Sequence, residues 1–407
     1  MLSTPRTFNR PETDDHPALQ GSLEIPATAL KSYNFSPGPT NLPKAVEDTI
    51  QKECFSSSSS RPCSMYLSHR SPEFVQILEN AVFLLRETMN IPDNYEVLFT
   101  HGGGHGQFAA VPLNLCPNGN EKVTYLVSGT WSQRAAIEAK KYCQPTVISS
   151  KDEETGTFTS FPSLDNIDPE SKYVYLCSNE TVNGIELHRL PDLKSRGIDA
   201  PLVVDASSDF STKPIDWKKH NVGVLYACAS KNIGHPGVTV CIVRKDLLGK
   251  SNPMCPGVFD YTTNSEAGNL WNTAATFNIE VVGIVMDWIY SNGGVNNMEK
   301  LSIQKSNMIY DLVDSSEGFF STPLVTEEEK KIRSRMNVPF AVMDGDTAMT
   351  NKFVIEAWER GIIGLRTITP FGIGKYLRAS LYNGVSLEDT EVLAAFMKEF
   401  SMKNKSC

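Results

Sequence analysis

From Tyr95 onward, short apolar runs alternate with stretches of helical spacing. Glu96–Thr100 precedes a helix expected from Gln107, and Val123–Val127 precedes one over Ser132–Tyr142. Lys172–Leu176, Leu202–Val204, Val224–Ala227 and Val238–Val243 are further strand-like runs, too apolar to face water on either side. Strands buried on both faces and separated by helices predict an α/β fold with a mostly parallel sheet between helical layers. Ligands on such sheets bind beyond the carboxyl ends of the strands, so the loops after these runs are expected to carry the chemistry. Upstream, Phe74, Ile77, Leu78, Val82 and Leu85 recur at three- and four-residue spacing over Pro72–Met89, the mark of one helical face. Before it, the turn cluster Phe35-Ser-Pro-Gly-Pro39 leads to Pro43, which opens a helix over Lys44–Glu53. The serines Ser56–Ser60 are expected to form a tight exposed loop.

The pattern changes near Asn292-Gly293-Gly294. A long helix of mixed polarity from Met298, the runs Met336–Phe340 and Lys352–Gly361, and a final helix over Leu387–Ser401 predict a smaller α+β domain. The expected division is a disordered tail over 1–31, a large domain over 32–295 whose first residues pack on the small domain, and a small C-terminal domain over 296–407. A chain of 407 residues agrees with two domains, because single cores stop growing near ~250–300 residues. The tail mixes Arg6, Arg10, Glu12, Asp14 and Asp15 and has no apolar core, so it does not resemble a targeting peptide.

Composition narrows the partners. A formal net charge of −9 argues against a surface built to collect nucleic-acid phosphates or anionic lipid head groups. The longest apolar candidate, Val281–Tyr290, is short and carries Asp287, so no membrane span is expected. Nine scattered cysteines without a Cys-x-x-Cys pair suit a reducing compartment, here the cytoplasm, and argue against a zinc site or a disulfide scaffold.

Chemistry concentrates in the loops after strands. Leu98-Phe-Thr-His-Gly-Gly-Gly-His-Gly-Gln107 runs from a strand through glycines into a helix; its amides can approach an anion closely and the helix start adds partial positive charge, although a plain tight turn has the same wording. It lacks the Gly-Lys-Ser/Thr ending of a nucleoside-triphosphate loop and the spacing of a dinucleotide fingerprint. In Val203-Val-Asp205-Ala-Ser-Ser208 an acid ends an apolar strand, where it can keep a pyridine nitrogen protonated or simply cap a turn. In Ala227-Cys-Ala-Ser-Lys231-Asn-Ile-Gly234 a lysine sits among small residues, where lost hydration disfavours the ammonium and frees the amine as a nucleophile. A candidate phosphate loop, an acid and a lysine thus follow one another along the chain, all at strand ends.

The order and wording resemble the class V pyridoxal-phosphate aminotransferases from about Tyr33 to Lys403. The matching pieces are Asn34-Phe-Ser-Pro-Gly-Pro39, Ser68-His-Arg70, Gly102-Gly-Gly-His-Gly-Gln-Phe-Ala-Ala-Val-Pro-Leu-Asn114, Asn179-Glu-Thr181, Lys231-Asn-Ile-Gly234, Asn272-Thr273, Arg335-Met-Asn-Val-Pro339 and Leu377-Arg-Ala-Ser-Leu-Tyr-Asn383. The resemblance implies a fold type I transferase with a seven-stranded, mostly parallel sheet and pyridoxal 5′-phosphate as cofactor. Lys231 would hold the cofactor as a Schiff base and shuttle the substrate proton. Asp205 would pair with the pyridine nitrogen, Trp131 would stack on the ring, and Thr181 and Ser230 would contact the cofactor. Gly104 and His105 would hold its phosphate, joined by Asn272 and Thr273 of a partner subunit, so a homodimer is expected. Arg378 would clamp the substrate α-carboxylate, and His69 with Arg70 would face the distal anionic group. The reaction implied is ping-pong amino transfer between phosphoserine or glutamate and 3-phosphohydroxypyruvate or 2-oxoglutarate.

The chain departs from that pattern in places. Members acting on a phosphorylated substrate carry a His-Arg pair ahead of the carboxylate-binding arginine, and the matching positions are Phe371 and Gly372. Many have arginine at His105, glutamine at Ser230 and Asn-Thr-Pro-Pro where this chain reads Asn272-Thr-Ala-Ala275. Each lost charge-assisted contact costs ~1.5–3 kcal/mol, so a small non-phosphorylated oxo acid is an alternative substrate unless Lys375 or His105 compensates. A cysteine desulfurase or lyase would need a reactive cysteine on a loop, and no cysteine has that setting.

Overall fold

Ser71 and Pro72 show how the sequence starts an element. In a computed structural model, which describes residues 32–56, 61–365 and 375–405, the Ser71 hydroxyl accepts from the Phe74 amide at 3.3 Å. Pro72 occupies the first helical position, where its missing N–H costs nothing. The helix ends at Asn90, in the left-handed region at φ 49°. The expected tail over 1–31, the serines Ser57–Ser60 and the pair Phe371 and Gly372 lie outside the described residues.

In chain order, β1 (Tyr33–Asn34), α1 (Lys44–Ile50) and α2 (Pro72–Met89) lead to β2 (Tyr95–Thr100), α3 (Gly103–Leu115), β3 (Lys122–Val127), α4 (Thr130–Ala139) and β4 (Gln144–Ser149). Next come β5 (Val174–Cys177), the short pair β6 (Asn179–Glu180) and β7 (Ile185–Glu186), then β8 (Leu202–Asp205), β9 (Val222–Cys228) and β10 (Thr239–Arg244). After α5 (Tyr261–Glu266), α6 (Thr276–Ser291) and α7 (Gly294–Asp314), the chain forms β11 (Phe320–Ser321), α8 (Glu327–Lys330), β12 (Asn337–Val342), α9 (Thr347–Glu359), β13 (Ile362–Ile363), β14 (Leu377–Ser380) and α10 (Leu387–Asn404).

Seven strands form the main sheet in the order β2-β10-β9-β8-β5-β3-β4. Among the described strands β10 alone runs opposite to the other six, so the sheet is mostly parallel, as the unbroken apolar runs imply. Successive side chains point to opposite faces. Leu126, Val204, Leu225 and Ala227 join one apolar cluster with α2 and α6, and Tyr125, Val203, Val224 and Tyr226 join another with α3 and α4. β4 was not expected from the sequence; it lies at the sheet edge with its side chains exposed or half-buried and therefore has no apolar run to betray it.

A further apolar cluster gathers Phe320, Phe340, Phe353, Phe396 and Phe400 around the antiparallel sheet β11-β12-β14. Phe35 is buried in it, and β1 pairs in parallel with β13, Tyr33 opposite Ile362, so the start of the described chain packs on this C-terminal core. Lys305 of α7 donates to the carbonyls of Leu381, Tyr382 and Val385 at 2.8–2.9 Å and thereby holds the turn that follows β14. Among the described residues no helix is long and apolar enough to cross a membrane.

Candidate active site

The carboxyl ends of β5, β8 and β9 meet at one edge of the main sheet, with Cys177 paired to Asp205 and Asp205 paired to Tyr226. A cavity of about 320 Å³ opens there. Of the residues expected at the site, Gly104, His105, Trp131, Thr181, Asp205, Ser230, Lys231 and Arg378 line it. A larger groove of about 810 Å³, between Trp288, Met298 and Val385, contains none of them.

Lys231 reaches the cavity from the turn after β9, beneath the backbone of Gly38. A Cβ on Gly38, which has φ +116°, would stand 3.2 Å from Lys231 Cγ, so the close pass requires glycine twice over. Lys231 Nζ donates to Thr181 Oγ1 at 3.3 Å and lies 6.0 Å from the centre of the Trp131 ring. Burial alone pulls the Lys231 amine downward, as the sequence implied. The facing groups of Tyr382, Cys228 and Asp205 outweigh it, and the net direction is upward. The lost hydration expected from the sequence is therefore present, but it is one of two opposing influences on Lys231, and the groups facing it act the other way.

One of these groups, Asp205, is 4% exposed at the end of β8. Its Oδ1 accepts from the Ser207 amide at 2.9 Å. Burial raises its carboxyl above the usual range, with Ser207 and Lys231 pulling the other way. On the opposite wall α3 begins earlier than expected, at Gly103 rather than Gln107, so the glycines are the helix's first turn rather than a loop before it. Gly102 ahead of it has φ 92°, and Gly104 lies against the cavity wall, where an added Cβ would stand 3.7 Å from Cys228 Sγ and 3.9 Å from Asp205 Oδ2. The exposed His105 stands edge-on to Trp131, ring centres 5.7 Å apart.

Arg378, 6% exposed on β14, donates through Nη1 to the Thr181 carbonyl at 2.7 Å, and burial lowers its pKa. Tyr382, a few residues on, donates its hydroxyl to the Pro37 carbonyl at 2.9 Å and accepts from Asn337 Nδ2 at 3.1 Å. Pro37, Gly38, Asn179, Ser207, Ser208 and Cys228 also border the cavity without having been assigned roles from the sequence. The turn cluster at Phe35–Pro39 and the wording Asn179-Glu-Thr181 were the available signals for several of them.

Four expected residues are not brought to this cavity. His69 and Arg70 lie in the turn before α2, and Asn272 and Thr273 lie ahead of α6. The two segments adjoin, because Thr276 Oγ1 donates to the Ser64 carbonyl at 2.7 Å. Around them Phe55, Met65, Tyr66 and Trp271 are exposed, Tyr66 at 80%. Lys375 forms an ion pair with Asp344 at the surface of the C-terminal part and does not line the cavity.

The cavity fits pyridoxal phosphate: a lysine amine, a buried carboxylate wanting a cationic partner, helix-start amides open to an anion and an indole at the wall share one space. The aminotransferase class-V family model matches residues 32–393. A phosphoserine aminotransferase of Drosophila melanogaster is 40% identical over 377 residues, 92% of this chain and 99% of that protein. The solved phosphoserine aminotransferase from Bacillus circulans subsp. alkalophilus superposes with a TM-score of 0.83 at 33% identity, covering 92% of this chain and 99% of that one. The pyridoxal-phosphate-bound phosphoserine aminotransferase from Trichomonas vaginalis gives 0.81 at 33% identity, over 90% and 100%. Since the family match takes in both the sheet and the whole strand-end cavity, the chain belongs to the class V aminotransferases.

Proposed function

We propose that this pyridoxal-phosphate-dependent transaminase moves an amino group between phosphoserine or glutamate and 3-phosphohydroxypyruvate or 2-oxoglutarate, by a ping-pong mechanism, as a cytoplasmic homodimer. The observation that carries the chemistry is Lys231 facing Asp205 across a cavity opened by glycine amides. The bound cofactor supplies an electron sink that makes the substrate Cα–H acidic. Lys231 would hold the cofactor and, once displaced by the substrate amine, would take the proton from Cα and return it, a role that needs its freed Nζ neutral. Asp205 keeps a proton on the pyridine nitrogen, which relieves the cost of its own burial. Trp131 covers one ring face, Thr181 and Ser230 contact the cofactor, and the Gly104 and His105 amides bind the phosphate at the positive end of α3. Arg378 presents its planar fork to the substrate α-carboxylate from a dry setting, where such a pair is strong.

The second subunit follows from the four residues outside the cavity. Asn272 and Thr273 of one copy would reach the cofactor phosphate of the other, and His69 and Arg70 would supply distal donors. The exposed aromatics between these segments supply the apolar area such an interface needs. A second substrate reading, a small non-phosphorylated oxo acid, is favoured by Phe371 and Gly372 in the His-Arg positions and by the pairing of Lys375 with Asp344. A half-reaction screen decides: cofactor-loaded protein is mixed in single turnover with phosphoserine, glutamate, serine and alanine. Conversion of the cofactor to its amine form by phosphoserine and glutamate is expected. No conversion by phosphoserine, alongside conversion by serine or alanine, would transfer the assignment to the second reading.

A further inference from the structure

Trp131 is the second residue of α4, and the first turn of that helix is not capped by its own sequence. Gly129 at the N-cap has no side chain to offer, so the amides of Thr130, Trp131 and Ser132 need acceptors from elsewhere. The segment beginning in β6 provides them. Glu180 accepts from the Trp131 amide at 2.8 Å, from the Ser132 amide at 2.9 Å and from the Ser132 hydroxyl at 2.5 Å. Asn183 Oδ1 accepts from the Thr130 amide at 2.9 Å and the Thr130 hydroxyl at 3.1 Å. The fit is close: a Cβ on Gly129 would stand 2.5 Å from Glu180 Cγ and Cδ and 2.7 Å from Asn183 Oδ1.

Glu180 is fully buried, and burial lifts its carboxyl to about 6 even though the Ser132 and Trp131 donors pull it down. An acid kept in such a place at a cost, aimed at the positive end of a helix, suggests that the geometry it enforces matters. Thr181, the next residue, meets Lys231 Nζ through its hydroxyl and Arg378 through its carbonyl. The tetrapeptide Glu180-Thr181-Val182-Asn183 therefore sets Trp131 through the backbone of α4 on one side, and Lys231 and Arg378 on the other.

We propose that Glu180 is a positioning residue for the cofactor ring, fixing the height and tilt of Trp131 over the cavity through the first turn of α4. The proposal rests on the reading of Trp131 as the stacking residue. It is tested with Trp131→Ala, Glu180→Ala, Glu180→Gln and the Glu180→Ala/Trp131→Ala double variant, measuring pyridoxal phosphate affinity by equilibrium dialysis and the induced circular dichroism of the bound cofactor. Loss of one stacking contact predicts about tenfold weaker binding for Trp131→Ala. Glu180→Ala is expected to weaken binding to a similar extent and to diminish the induced band, and the double variant to be no weaker than Trp131→Ala alone, because one residue acts through the other. Additive weakening in the double variant would overturn the proposal, as would unchanged affinity and dichroism in Glu180→Ala when Trp131→Ala is impaired. Should Glu180→Ala fail to fold, Glu180→Gln decides: it keeps one acceptor oxygen, and about threefold weaker binding with a reduced band supports the proposal, whereas wild-type behaviour overturns it. Unchanged binding in Trp131→Ala would instead refute the stacking role itself.

Discussion

Replacing Asp205 with Asn separates the stability of the protein from its hold on the cofactor, because the two should respond with opposite sign. The substitution preserves shape, and the Asn oxygen still accepts from the Ser207 amide, which now stands 2.9 Å from Asp205 Oδ1. What disappears is a charge whose burial is the largest influence on its own titration and acts against ionisation. The cofactor-free protein is therefore expected to be as stable as the wild type or more stable. Binding loses the carboxylate's charge-assisted contact with the protonated pyridine nitrogen, worth ~1.5–3 kcal/mol, which corresponds to an affinity lower by roughly one to two decades. Thermal unfolding without cofactor and equilibrium dialysis with pyridoxal phosphate measure the two quantities separately. Wild-type affinity in Asp205→Asn would refute the reasoning, since a buried carboxylate without a cationic partner in the complex has no reason to stand at that wall.

Arg378→Lys keeps the charge but loses the fork, and KM for the amino donor is expected to rise about 10–100-fold in steady-state kinetics. Lys305→Met leaves the Leu381, Tyr382 and Val385 carbonyls without their shared donor; at ~1–3 kcal/mol for each orphaned group, urea unfolding should report a loss of at least ~3 kcal/mol. Burial pushes Glu186 upward, but Lys213 and Arg335 at 2.9 and 2.8 Å outweigh it and hold the carboxyl near about 2, against an ordinary value of 4.5. A depressed acid stabilises the fold above the ordinary value and loses that contribution as pH falls toward 2, so the stability gap between wild type and Glu186→Gln should narrow by ~3 kcal/mol across that window. A gap independent of pH, followed by denaturant unfolding, would contradict the pairing.

The main sheet was legible because its interior strands are apolar on both faces, so Val123–Val127 or Val238–Val243 can be recognised without partners. β4 was hidden for the opposite reason: an edge strand with exposed side chains has no hydrophobic signature. The start of α3 was missed by one turn because Gly103 and Gly104 have low helix propensity, and their place in a helix is decided by what their amides face rather than by side chains. Of the candidate site, Lys231, Asp205 and the glycines could be read because each follows an apolar run. The electrostatic setting of Lys231 could not, since it depends on Tyr382, Cys228, Asp205 and Cys177 converging on it from separate parts of the chain. Glu180 was quoted within a motif, yet its partners lie some fifty residues away across the sheet, and only the fold shows that it caps α4.

The central claim is that Lys231 holds the cofactor, and borohydride reduction of the cofactor-loaded protein followed by peptide mapping tests it most directly. The account predicts a single phosphopyridoxyl group fixed on Lys231, and none in Lys231→Ala. A label on another lysine, or a wild-type protein that takes up pyridoxal phosphate without being labelled at all, would contradict it.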